Sequence, residues 1–320
     1  MKFDNRNGFT LVELLVVIGI IGILAAVMLT GFRGSTDSAR AAKCLTNMRN
    51  LATAVQNFGM VEGWYPRAGS VEYMTAGGNG VSYYEERAKD GRNTAWISWL
   101  SQGRYERNGH STSSRAGSTA APSLADDDTL KENGATFALT NGALWSYVSQ
   151  TRESYRCPLH VEKVKALYTP QWSYVMNSYF SYNRLKKPIV PGAGNRKEYG
   201  QMKAPDRVLL FAEVPFVGIP GTGQDEPVLE GGPGTKVLDP VLEYDDGTTS
   251  SPESIGFNHR SNKRYTAHVV FADGHTAKLM LPADPSESNL KKLTKWLCNG
   301  YELSFDGKKY EAVNADSSNK

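Results

Sequence analysis

Cysteine is scarce, with only Cys44, Cys157 and Cys298 in 320 residues. Three thiols permit at most one intramolecular disulfide, which excludes a disulfide-built scaffold. No C-x-x-C pair or Cys/His spacing of a zinc module is present. A dominant charge is also lacking: 36 basic residues face 33 acidic ones, a net charge of +3. No Lys/Arg run is dense enough to follow a phosphate backbone, so nucleic acid is not expected as the primary partner. The G-x-S-x-G, P-loop, H-E-x-x-H and dinucleotide fingerprints are missing as well, and no enzymatic activity or cofactor is assigned. Apolar residues, by contrast, make up 40% of the chain, enough for a core and too much for a disordered protein. Sixteen Tyr and six Trp, many among Gly, Asn and Ser, suit a β-rich exported head.

The longest apolar run is "GFTLVELLVVIGIIGILAAVML", residues 8 to 29. As a helix rising about 1.5 Å per residue, the part from Phe9 onward spans roughly 30 Å, the thickness of a bilayer core. Lys2 and Arg6 precede it, which keeps the short leader cytoplasmic and sends the rest of the chain outside. A cleaved secretory signal would be shorter; this run continues directly into an amphipathic pattern and is read as retained. Glu13 is the anomaly, because a carboxylate at depth in a membrane helix costs on the order of 2.5–3.5 kcal/mol. It is either an interfacial residue of an ordinary anchor or a charge held for a partner. If the chain is cut after Gly8, the new α-amino group of Phe9 supplies such a cation, within the chain or on a neighbouring helix.

These residues closely resemble the signal of type IV pilins and type II secretion pseudopilins. The resemblance implies that a prepilin peptidase cleaves after Gly8 and methylates Phe9, that Glu13 is the assembly carboxylate, and that Gly19 and Gly22 lie where helices pack. It also implies an α+β, pilin-like fold: one long N-terminal helix, half in the membrane and half packed on an antiparallel sheet. The expected division is a leader over 1–8, a membrane half over 9–30, a head-packed half over 31–62 and a β-rich head over 63–320. Implied partners are other pilin or pseudopilin subunits, an inner-membrane assembly platform and membrane lipid. Many family members carry a proline where this chain reads Leu29-Thr30-Gly31, so the position of any kink is open.

Further along, Cys44, Met48, Leu51, Val55 and Phe58 recur at steps of four and three, one face of a helix expected to end near Phe58. "RVLLFAEV" (207–214) and "SYVMNSYFSYN" (173–183) have strand composition, and "LKKLTKWLCNG" reads as a late helix. Long polar segments over 103–134, 186–201 and 218–258 read as loops. The clearest hairpin is "AHVVFADGHTAKLML" (267–281), where Asp273-Gly274 predicts a two-residue type I′ turn. The segment 259–274 resembles the H-x9-DG signature of large pilin-like proteins of planctomycete, verrucomicrobial and lentisphaeral kind. Asp273-Gly274 fits it; from His259 the spacing is H-x13-DG, four residues longer.

His259, His268 and His275 invite a metal reading, against which stands strand alternation separating His268 from the turn; structural or surface histidines are the expectation. Glu243, Asp245 and Asp246 offer hard oxygen ligands of the calcium-preferring kind, although not at EF-hand spacing, and a solvated acidic turn is the default. Cys44 and Cys157 both fall in family-like segments, which favours that pair for a disulfide. The functional expectation is a filament subunit, minor rather than major given its large head. The alternative is a membrane-anchored module whose head binds glycan or a secreted substrate, and an exported hydrolase has no motif behind it.

Overall fold

The computed structural model describes residues 10–68, 71–74, 81–84, 94–97, 139–164, 172–180, 199–200, 202–220, 241–242, 254–261 and 264–313, with backbone only at 25–35, 71–74, 81–84 and 164. Its dominant element is α1 (Leu11–Glu62). Thr10 caps it: Glu13 N–H donates to Thr10 Oγ1 at 3.3 Å and Thr10 N–H donates to Glu13 Oε2 at 2.8 Å, a reciprocal capping box. The helix passes Phe58 and the expected stop at Gly59, ending at Gly63 (φ +82°), whose N–H donates to the Gly59 carbonyl. A left-handed residue is needed there and glycine supplies it without a Cβ clash. Gly59 serves a different purpose, since a Cβ on it would lie 2.3 Å from the Tyr199 ring. No break falls at Leu29-Thr30-Gly31.

The main sheet has the strand order β5-β3-β4-β7-β6 and is mixed but mostly antiparallel. Its strands are β3 (Tyr174–Asn177), β4 (Leu209–Glu213), β5 (Val241–Leu242), β6 (His259–Ser261), β7 (Arg264–Phe271) and β8 (Thr276–Met280). Two outlying hairpins are β1 (Val71–Met74) with β2 (Val81–Tyr84), and β9 (Leu303–Phe305) with β10 (Tyr310–Ala312). Two further α-helices are described, α2 (Pro158–Val164) and α3 (Glu287–Cys298). The architecture is therefore α+β, with an N-terminal helix followed by a largely antiparallel sheet.

β7 is the hub. β8 pairs with it from Thr266 to Val270, and the opposite edge is shared: β4 takes Val269 to Phe271 and β6 takes Arg264 to Thr266. The end of β4 and the start of β6 thus meet beside Ala267 and His268. The β7–β8 connection differs from the type I′ expectation. Gly274 N–H donates to Phe271 C=O and Phe271 N–H donates to His275 C=O, so Ala272-Asp273-Gly274 form a three-residue loop. Only Gly274 of the three has positive φ (+91°), the pattern of a type I turn closed by a left-handed residue. Gln56 of α1 donates to Asp273 C=O at 2.8 Å and pins this turn to the helix.

The head-facing stripe of α1 is as the periodicity predicts: Cys44, Met48, Leu51, Val55 and Phe58 are all buried against the sheet. Asn47 fastens the other flank by donating to the Glu153 and Arg156 carbonyls. Trp96, Tyr155 and Phe211 form the aromatic centre of the core, with Trp96 edge-on to Phe211 at 4.9 Å. Asn177 ties β3 to its surroundings, donating to the Leu209 and Cys298 carbonyls and accepting from Tyr179 N–H. "GALWSYVSQ" (142–150) contributes a 3-10 turn at Trp145–Tyr147.

Candidate functional site

Two places stand out. The first is the N-terminal half of α1, where Leu11 to Leu24 is apolar on every side and exposed, for example Leu15 at 60% and Ile18 at 60%. A helix hydrophobic all round has no solvent face and is matched to a membrane or to other helices. Among the described residues no helix is long and apolar enough to cross a membrane. Glu13 sits in the first turn with both Thr10 contacts on the same oxygen, Oε2: Thr10 N–H and Thr10 Oγ1–H each donate to it at 2.8 Å. A carboxylate at a helix N-terminus also meets the positive end of the helix dipole. Gly19 and Gly22 have open space around them, since an added Cβ at either would meet nothing within 4 Å. Gly8 and Phe9 lie outside the described residues, as do Glu243, Asp245 and Asp246.

The second place is a buried polar cluster between α1 and the sheet. One further step along the β4–β7 register places Glu213 opposite His268, and His259 enters from the first position of β6. Glu213 is fully buried; its Oε1 accepts from Cys44 Sγ at 2.9 Å and lies 3.0 Å from His259 Nε2. Its Oε2 is 3.7 Å from His268 Nδ1, and neither of those two atoms has a hydrogen-bond partner. The imidazoles of His259 and His268 stack at 3.9 Å, and Cys157 Sγ lies 3.7 Å from His259 Nε2. Burial pushes the Glu213 carboxyl up, but the facing histidines and the Cys44 thiol more than offset this and hold it at about 2. Burial lowers His259 too, yet Glu213 raises it to about 10, whereas burial prevails at His268 and takes it to about 4.

Of the three candidate histidines, the structure unites His259 and His268 and leaves His275 in the β7–β8 turn, bonded to Asp273 Oδ1 at 2.7 Å. The expectation of merely structural or surface histidines did not anticipate this convergence. All three cysteines are free and buried in the structure, with no Cys44–Cys157 bridge; the Cys44 thiol engages Glu213 and Cys157 Sγ lies 3.7 Å from His259 Nε2. Sequence reading missed Glu213, although a carboxylate inside the buried run "RVLLFAEV" is itself a signal, because an unpaired charge there is costly.

The comparisons bear on the first place. Residues 4–29 match the family model described as the prokaryotic N-terminal methylation motif. The chain is 41% identical over 58 residues to the type IV major pilin protein PilA of Myxococcus xanthus, covering 18% of this chain and 26% of that protein. It is 33% identical over 66 residues to the type II secretion system core protein G of Klebsiella michiganensis (21% of this chain, 46% of the relative). It is 36% identical over 62 residues to the type IV major pilin protein PilE of Neisseria gonorrhoeae (19% and 37%). The chain thus spans between a quarter and half of the length of these curated relatives. No solved structure matches the chain. The N-terminus carries a prepilin-type methylation motif on a pilin-like α+β fold, and the similar proteins are pilins and a secretion-system core protein rather than enzymes.

Proposed function

We propose that the chain is a pilin-like or pseudopilin-like subunit, cleaved between Gly8 and Phe9 by a prepilin peptidase, methylated on Phe9 and assembled through its N-terminal helix into a type IV pilus or secretion pseudopilus. One observation carries the reading. A single helix, whose first turns lie within the methylation motif (residues 4–29), is exposed and apolar all round at one end and buried in the head at the other. The exposed half is stable only in lipid or among copies of itself, and residues 9–30 serve first as the single-pass inner-membrane anchor and then as the filament core. The leader 1–8 stays in the cytoplasm, and the head, 63–320, faces the periplasm or the exterior. Open space at Gly19 and Gly22 fits close helix–helix approach, which small residues permit. In this reading the activity is assembly rather than catalysis, and the size of the head suits a minor subunit.

Glu13 then has two duties, capping its own helix and accepting the α-amino group of a neighbouring Phe9. Intact-mass analysis of the mature protein should show a chain beginning at methylated Phe9. Glu13→Ala should leave that cleavage intact and abolish co-purification with sheared filaments. A mature protein starting at Met1, or normal incorporation of Glu13→Ala, refutes the assignment.

The alternative, an anchored binding module, draws on one observation: a groove of about 360 Å³ between α3 and the β9–β10 hairpin, lined by Asp284, Asn289, Lys292, Trp296 and Tyr310. Trp296 and Tyr310 set among polar groups make a lining of the kind that suits a sugar. Cysteines introduced along 9–30 separate the two readings, because a filament subunit gives crosslinked ladders and a lone anchor does not.

A further inference from the structure

The buried cluster under α1 has a donor set with a specific chemical preference. Cys44, Glu213, His259 and His268 are all buried, and one ligand atom from each lies within 4.8 Å of every other. We propose that these four residues hold one zinc-class divalent cation in a closed four-coordinate site, through Cys44 Sγ, a Glu213 carboxylate oxygen, His259 Nε2 and His268 Nδ1. With bonds of about 2.0–2.3 Å, a tetrahedral site has ligand–ligand edges of roughly 3.3–3.8 Å, in the middle of the separations found here. Cation entry therefore requires side-chain adjustment only.

Three further observations point the same way. Glu213 Oε2 and His268 Nδ1 are fully buried polar atoms without hydrogen-bond partners, and both face the cluster. A shared cation satisfies both at once. Second, charge closes: on binding, Cys44 releases its thiol proton and His259 its imidazolium proton to solvent, and one thiolate, one carboxylate, two neutral imidazoles and a dication sum to zero, as a buried site requires. Third, a supporting shell is in place, with Tyr174 Oη–H aimed at Cys44 Sγ at 3.5 Å and the Cys157 thiol 3.7 Å from His259 Nε2. Sulfur and imidazole donors disfavour calcium and magnesium, which take oxygen sets, and favour zinc.

Four protein ligands and full burial make this a structural site, with no open position for a substrate. Its ligands come from α1, β4, β6 and β7. The cation would staple the head-packed half of the helix to the strands where β4 gives way to β6 along β7. In a filament subunit, that is the joint through which pulling force passes between the helical core and the head. The site itself does not depend on the assembly reading and would stand in a lone anchor too.

The test uses the full chain in detergent. Elemental analysis after exhaustive dialysis should find one zinc per chain, and a chelator should lower the melting temperature, with zinc restoring it. Cobalt substitution of the unaltered protein should give the charge-transfer absorption of a thiolate–cobalt bond and the intense visible bands of a tetrahedral site, which decides the donor set even if variants fail to fold. Cys44→Ser should remove the charge-transfer band, Cys157→Ser should keep it, and His268→Gln should weaken zinc by more than the about 10–100-fold that a supporting residue costs. The proposal is overturned by dialysed protein that lacks zinc and melts identically with zinc or chelator, by a Cys44–Cys157 disulfide in the native protein, or by a thiolate–cobalt band that survives Cys44→Ser.

Discussion

The two halves of α1 predict opposite responses to one and the same substitution. Leu51 is completely buried in the stripe that packs under the sheet, whereas Leu15, on the same helix, is 60% exposed. Truncating a buried leucine loses the transfer free energy of the removed methyl groups and leaves a cavity, together about 2.7–5 kcal/mol. Leu51 is flanked on its face by Met48 and Val55, both fully buried, and on the next turn by Phe58, so collapse around the cavity is restricted and about 3–4 kcal/mol is expected. For a domain of this size each kcal/mol moves the melting temperature by about 2–4 °C. Leu51→Ala in the full chain in detergent should therefore melt roughly 6–16 °C lower. Leu15→Ala removes no contact within the head and should leave the melting temperature within about 1 °C, while reducing recovery in filaments. The measurement is differential scanning calorimetry or near-UV circular dichroism on both variants. If Leu15→Ala destabilises the head as much as Leu51→Ala, or if Leu51→Ala costs less than about 1 kcal/mol, the division of the helix into an external half and a core half is wrong.

Two other perturbations test the head. Asn177→Ala deprives the Leu209 and Cys298 carbonyls and Tyr179 N–H of their partner, and at about 1–3 kcal/mol for a buried group left unsatisfied it should cost about 2–4 kcal/mol in denaturant titrations. Unchanged unfolding would mean that water replaces the amide. Gly274→Ala places a Cβ at φ +91° and 2.7 Å from Gln56 Nε2, so about 1–2 kcal/mol should be lost as the helix-to-turn bond loosens; equal stability would show that the three-residue loop re-forms with a different geometry.

Where sequence reading succeeded, a local period carried the information. The stripe from Cys44 to Phe58 follows the 3.6-residue repeat, and α3 and the β7–β8 hairpin follow similar short-range patterns. Helix length and turn type were less accessible. Gly59 looked like a stop because glycine disfavours helices, yet the ring of Tyr199 occupies the space its Cβ would need, a contact made by a residue 140 positions away in the chain. The DG pair signalled a hairpin, but whether two or three residues form its loop depends on which N–H closes the turn, and here it is Gly274 N–H on the Phe271 carbonyl.

The N-terminal motif, the apolar all-round segment with its single carboxylate, and the amphipathic stripe behind it are properties of consecutive residues, and the chain alone determines them. The gathering of Cys44, Glu213, His259 and His268 is of another kind. Cys44 and Glu213 are 169 positions apart, and they meet because β4 and β6 share one edge of β7 while α1 crosses above. Strand order and register are set by long-range pairing and packing, which no local period encodes, so only the folded head decides that these four side chains face one point.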